Sequence, residues 1–191
     1  MNAIPLNLKG LMLIDLDIRR DARGYFMERF HTAKFEEIGL PTNFVQENHS
    51  RSLPGVLRGL HYQHTPAQGK LVGVTHGRIW DVTVDLRVDS PTFGMQWSIE
   101  LSDANGRLLW VPAGFAHGFC VVGDEPADVV YSVDAYYNVE GEGGIYWDDP
   151  DLRIEWPVKD PIVSQKDQWL PRFAHYKAAP VDWEGVTLPL R

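Results

Sequence analysis

Short apolar runs at regular spacing, separated by turn-forming residues, are the feature that most limits how this chain can fold; they favour a β-sandwich or barrel. "LMLIDLDI" (11–18), "VLRGLHYQ" (56–63), "KLVGVTH" (70–76) and "RIWDVTVDLR" (78–87) carry alternating or continuous apolar patterns. So do "MQWSIEL" (95–101), "RLLWVP" (107–112), "HGFCVV" (117–122) and "DVVYSVDAYY" (128–137). Turn signals stand between them at 76–77, 103–106 and 123–128, and Asn105-Gly106 is the best two-residue hairpin candidate. Seven Trp, seven Tyr and eight Phe point the same way, because aromatic rings pack well on a pleated surface.

Helical signals are sparse. "TAKFEEIG" (32–39) reads as a helix with Thr32 as N-cap and Gly39 as its stop, and "SQKDQW" (164–169) opens a second with Ser164 as cap. The 191 residues fit one domain spanning 1–191, with no repeats and no internal linker. After about Pro171 the pattern fades, and the tail is expected to pack loosely or to lie on a partner.

A formal net charge of −8 argues against nonspecific nucleic-acid or anionic-membrane binding. It leaves room for a small anionic ligand held by a few convergent Arg and Lys side chains. The single Cys, Cys120, precludes an intrachain disulfide and fits a reducing compartment. The first residues lack a basic segment followed by a long apolar run, and no run reaches membrane-spanning length, so a cytoplasmic protein is expected.

"VLRGLHYQHTPAQGK" (56–70) concentrates polar chemistry in a strand-like stretch. Strict alternation puts Leu57, Gly59, His61 and Gln63 on one face and Arg58, Leu60, Tyr62 and His64 on the other. Arg58 and His61 meet only if the strand is irregular, and Gly59 is the natural place for a bulge. A metal is poorly served here. Metal-holding β-barrels use a His-x-His pair, a nearby Glu and a later His after a Pro-x-Gly motif. Pro112, Gly114 and His117 supply the last piece, but His61 and His64 are three apart, and Gln68 and Lys70 stand where a carboxylate is wanted.

Without a metal, a His works as a general base when a carboxylate holds its tautomer. Asp81, Asp85 and Asp167 are the candidates, and spacing does not choose among them. Asp81 and Asp85 can equally pair with Arg78 or Arg87, and Asp167 sits three after Ser164 in a capping-box pattern. Lys70 suits an enolate oxygen and Tyr131 suits proton delivery, though an exposed strand start and a core aromatic explain them as well. Arg23, Arg58 and His117 fit a phosphate, and Arg23 fits a solvated turn equally.

Together "DARGYFMERF", "FVQENHSRS", "GVLRGLHYQ", "AQGKLV", "DVTVDLRVDSPTFG", "VPAGFAHGF", "VVYSVDAYY", "IYWDDPDLRIEWP" and "SQKD" closely resemble the dTDP-4-dehydrorhamnose 3,5-epimerase family, in family order from about residue 10 to about residue 170. The resemblance implies an all-β, cupin-type jelly roll (double-stranded β-helix) with a few short peripheral helices, independent of metal or redox cofactor and assembled as a homodimer. It implies a dTDP-linked 4-keto-6-deoxyhexose as substrate, with His61 as base, Asp167 orienting it, Tyr131 as acid and Lys70 stabilising the enolate. Arg23, Glu28, Gln46, Asn48, Arg58, His117, Glu142 and Lys166 match family positions that bind the nucleotide sugar, some of them open to acting across the dimer interface. Arg19 and Arg20 stand where the family often has an aromatic, and Glu47 where Asp is common. The tail from Trp169 onward is left unmatched by these motifs. Competing readings are a mono-epimerase acting at carbon 3 or carbon 5 alone, a metal-dependent cupin and a noncatalytic binding cupin.

Overall fold

The computed structural model describes residues 1–183 and residue 186. In chain order the strands are β1 (Asn2–Pro5), β2 (Met12–Asp15), β3 (Arg19–Asp21), β4 (Gly24–Phe26), β5 (Gln46–Ser52), β6 (Val56–Gln63) and β7 (Lys70–His76). They continue as β8 (Arg78–Asp85), β9 (Gln96–Ser102), β10 (Arg107–Val111), β11 (Phe115–Val121), β12 (Ala127–Val133), β13 (Glu142–Gly144) and β14 (Ile162–Val163). The helices are α1 (Thr32–Glu37), α2 (Gln165–Gln168) and α3 (Phe173–Ala178).

Two sheets face one another. The first runs β1-β2-β10-β7-β12-β5 and the second β13-β6-β11-β8-β9, with β14 lying parallel to β6 and β3-β4 forming a separate hairpin. Val72, Val74, Leu109 and Val129 from the first sheet pack with Ile79, Leu101, Phe115, Phe119 and Val121 from the second. This is an all-β jelly roll of the cupin type with short peripheral helices. Each fully buried Val, Leu or Phe contributes about 1.5–3 kcal/mol, so this shared interior holds the sheets together.

β11 is buried at every position because its outer face is covered as well. Ala116 joins Leu60, Val82, Val84 and Leu86 of the second sheet under Leu152, Phe173 and Tyr176. Continuous burial of this kind explains why 117–122 reads as an unbroken apolar run.

Four expectations need correction. Thr32 lies inside α1; the extended residue before it is His31, which makes no side-chain cap. Asn105 and Gly106 do not close a two-residue hairpin, because β9 and β10 belong to different sheets. Asn105 Oδ1 instead accepts from Ser102 and Arg107 backbone N–H groups, stitching a four-residue crossover between the sheets. "QENHSRS" is a strand, β5, despite having no apolar residue, because it completes an antiparallel ladder along β12 at the sheet edge. The chain beyond Pro171 is not loose in its first part: α3 buries Phe173 and Tyr176, and the Tyr176 hydroxyl donates to Leu86 carbonyl at 2.8 Å.

Candidate active site

The strand irregularity that Gly59 permits is present. His117 pairs with His61 and Phe119 with Arg58, so β6 carries one more residue than β11 across this span. Gly59 has φ +115°, and a Cβ there would lie 2.7 Å from the Gly118 Cα and 2.8 Å from the His117 carbonyl, so glycine alone fits. The extra residue turns Arg58 and His61 into one cavity.

That cavity, of about 320 Å³, lies between the sheets and is lined by Arg58, His61, Lys70, His117, Tyr131, Lys166 and Asp167, with Ser50, Gly118, Phe119 and Ser164 completing the wall. An adjoining space of about 260 Å³ shares His61, Lys70 and Tyr131 with it and is lined further by Gln46, Asn48, Gln63, Gln68, Tyr137 and Glu142. His61, Lys70 and Tyr131 thus stand where a cation-rich compartment meets a largely neutral polar one.

His61 Nε2 lies 2.6 Å from Asp167 Oδ1, with the carboxylate almost fully covered at 4% exposure. Asp167 Oδ2 accepts the Gly59 N–H at 3.1 Å, and Ser164 Oγ caps α2 by accepting the Asp167 N–H at 3.1 Å. The cap, the carboxylate and the bulge therefore form one assembly. Burial works against the Asp167 charge, but the His61 contact, the Gly59 N–H and Ser164 outweigh it and hold the carboxyl below its ordinary range.

Of the three carboxylates considered as orienters, each has a different partner. Asp167 takes His61, Asp81 takes His117 at 2.8 Å, and buried Asp85 takes Arg87, Ser90 and Thr92. Asp85 thereby serves the loop after β8 and not the cavity.

Lys70 and Tyr131 project from neighbouring strands of the first sheet, facing His61 on the second. Burial pushes the Lys70 ammonium down to about 8, against the pull of Glu142 and Asp81. Burial likewise raises the Tyr131 phenol, with Arg58 opposing and Glu142 adding, so it stays a protonated donor at neutral pH. Glu142 is held low despite its burial by Lys166, 2.6 Å away, and by the Tyr137 hydroxyl at 2.9 Å.

Gln46 and Asn48 on β5 face the adjoining space and are bonded to each other at 2.9 Å. Arg23 and Glu28 are not brought to this site within the chain. Arg23 is 90% exposed on the β3-β4 hairpin beside Asp21, and Glu28 pairs with Lys34. The His64 ring bonds to the neighbouring Thr65 hydroxyl and stays outside both spaces. Tyr137 was missed; its one sequence signal is the aromatic pair closing "DVVYSVDAYY", which the strand pattern absorbs. Ser50 was missed too, hidden in the polar strand β5. Among the described residues no group of three or more His, Cys, Asp or Glu side chains is arranged to hold a metal ion, and no helix is long and apolar enough to cross a membrane.

Comparison with known proteins gives a consistent answer. The family model described as dTDP-4-dehydrorhamnose 3,5-epimerase matches residues 5–175. A Shigella flexneri protein of that name is 49% identical over 169 residues, 87% of this chain and 93% of its own length. The crystal structure of the Legionella pneumophila dTDP-6-deoxy-D-glucose-3,5-epimerase, in complex with dTDP-4-keto-L-rhamnose, superposes with a TM-score of 0.90 at 42% identity, covering 97% of this chain and 99% of that one. A 3'-monoepimerase from Streptomyces bikiniensis in complex with dTDP-quinovose is similar at a TM-score of 0.85 and 31% identity, covering 91% and 89%. With the family model matched over residues 5–175, a relative 49% identical over most of its length and a solved structure that superposes across nearly the whole chain, the chain belongs to the dTDP-4-dehydrorhamnose 3,5-epimerase family.

Proposed function

We propose that the cavity inverts carbons 3 and 5 of a dTDP-linked 4-keto-6-deoxyhexose, converting dTDP-4-dehydro-6-deoxyglucose to dTDP-4-dehydrorhamnose. The observation that carries this reading is that a carboxylate-held His61 and a protonated Tyr131 come from opposing sheets, with Lys70 beside the Tyr. Both carbons neighbour the carbon-4 ketone, so loss of either proton produces an enolate whose charge rests on one oxygen. The His61 nitrogen not engaged by Asp167 takes the proton, and Asp167 balances the imidazolium. Lys70 stabilises the oxygen in both steps. Tyr131 donates to the same carbon from the other side, which inverts it. His61 then loses its proton to water and Tyr131 regains one, ready for the second carbon.

Arg58 and Lys166 supply the positive charge that a diphosphate needs within an acidic protein, with His117 beside them as a hydrogen-bonding group. Gln46, Asn48 and Glu142 line the adjoining space and fit the remaining polar groups of the nucleotide sugar. Arg23, exposed, and Glu28, part-exposed, serve the partner's cavity in a homodimer, since neither lines its own. A single buried cysteine, Cys120, is in keeping with a cytoplasmic setting and one domain over 1–191 completes the reading.

The test is turnover of dTDP-4-keto-6-deoxyglucose in deuterated water, followed by proton NMR. Deuterium enters both carbons. Label at only one carbon overturns double epimerisation and favours the mono-epimerase activity named for the Streptomyces bikiniensis relative. His61→Ala and Tyr131→Phe keep the fold and lose about 10²–10⁴ of the rate, the usual share of general acid–base catalysis; near-normal turnover in either refutes its role.

A further inference from the structure

His117 carries a second carboxylate-held imidazole into the same cavity. Its Nε2 lies 2.8 Å from Asp81 Oδ2, the Asp81 side chain is 0% exposed, and Asp81 Oδ1 has no hydrogen-bond partner. The reciprocal arrangement at His61 is already accounted for by the chemistry. The arrangement at His117 is not, because a phosphate can be bound by Arg and Lys alone.

A ring nitrogen facing a carboxylate must carry hydrogen, and so must a ring nitrogen facing a phosphate oxygen. An imidazole placed between both anions needs both protons. We propose that Asp81 is a positioning residue for the anion subsite: it engages one nitrogen of His117, turns the other toward the ligand, and makes diphosphate binding take up one proton at His117. The inference rests on the reading that this compartment binds the diphosphate.

The charged and titratable groups around His117 sharpen the argument. On β6, His61 has its own carboxylate in Asp167 of α2, so it does not compete for Asp81. Arg58 on β6 and Lys166 on α2 line the same cavity and bring positive charge to it. Lys70, on the facing sheet, adds to this, while Tyr131 is neutral. A bound dianion compensates those charges, and Asp81 supplies the remaining counter-charge from beneath. Proton uptake is thereby tied to the arrival of the second anion, which gives the imidazole an acceptor on each nitrogen.

Titration calorimetry with dTDP-glucose, a dTDP-sugar without the reactive ketone whose doubly esterified diphosphate does not titrate near neutrality, at pH 7 in buffers of different ionisation enthalpy, measures the protons taken up. About one proton per site is expected for the full-length wild type, falling by at least half in Asp81→Asn and in His117→Gln. The Asp81→Asn change also weakens diphosphate binding by about tenfold, the scale of one charge-assisted contact. Zero uptake in the wild type overturns the proposal whether or not Asp81→Asn folds. Unchanged uptake and affinity in a folded Asp81→Asn variant overturn it while leaving the diphosphate reading standing, provided His117→Gln still weakens binding. If dTDP-glucose does not bind the wild type, the reading of the site fails and this inference with it.

Discussion

Lys70 is the side chain at which stability and activity pull in opposite directions. Its ammonium, pushed down to about 8 by burial, costs the folded state free energy wherever it is charged. The folded value lies below the unfolded one, so between about 8 and the ordinary lysine range the unfolded chain binds more protons and stability rises with pH. In the proposed mechanism, however, the enolate needs the charged form. kcat is expected to fall above about pH 8, as the cation is lost. Lys70→Met is expected to lose about 10² or more in kcat yet to melt higher at pH 7, by an amount on the order of 1–3 kcal/mol. A flat profile from pH 7 to 9, or a Met variant that turns over normally, rules this role out. The residue type was visible in the sequence; the depressed basicity was not, because it depends on what the opposite sheet places over the strand.

At the scale of elements, the bulge in β6 matters more than any one helix or turn. Gly59 was legible as a place where the strand could bend, since an isolated Gly in a strand marks a bulge or a close approach. Its positive φ and its contact with Gly118 make both halves of that reading concrete. Gly59→Ala is expected to cost about 2–4 kcal/mol and to abolish activity, because relieving the clash moves Arg58 and His61 apart and withdraws the N–H that Asp167 accepts. Denaturant unfolding with a parallel assay checks it; an active variant of wild-type stability would show that the bulge is dispensable. Helix caps illustrate the limit of local reading. Ser164 caps α2 as its spacing with Asp167 suggests, whereas Thr32, an equally good residue type, lies one position inside its helix. β5 was illegible for a different reason: hydrophobic alternation reports burial, and an edge strand that lines a polar cavity buries little apolar surface.

For the whole molecule, the proposed homodimer is what would bring Arg23 and Glu28 to the active-site cavity, since neither lines it within its own chain. Mixing Arg23→Ala with His61→Ala protomers decides it, because a two-fold dimer with shared sites regenerates one intact site in each mixed pair. Random reassociation then restores roughly a quarter of wild-type activity from two inactive parents. No recovery, with mixed dimers demonstrated by mass, places Arg23 outside the partner's site. The tail supplies a second lesson at this scale: Phe173 and Tyr176 carry no periodic signal of their own, yet they close the outer face of the second sheet.

The sequence by itself determined the fold class, the strands with apolar alternation, and the residue types at the centre of the site, since periodicity and family motifs are written locally along the chain. Only the tertiary structure decided which of Asp81, Asp85 and Asp167 serves which partner, because these carboxylates lie 36, two and 106 residues from the His117, Arg87 and His61 they hold. It also decided that Arg58 and His61 share a cavity. Both outcomes depend on the register between strands and on one inserted residue, and register is set by packing across the whole sheet and not by any short stretch of chain.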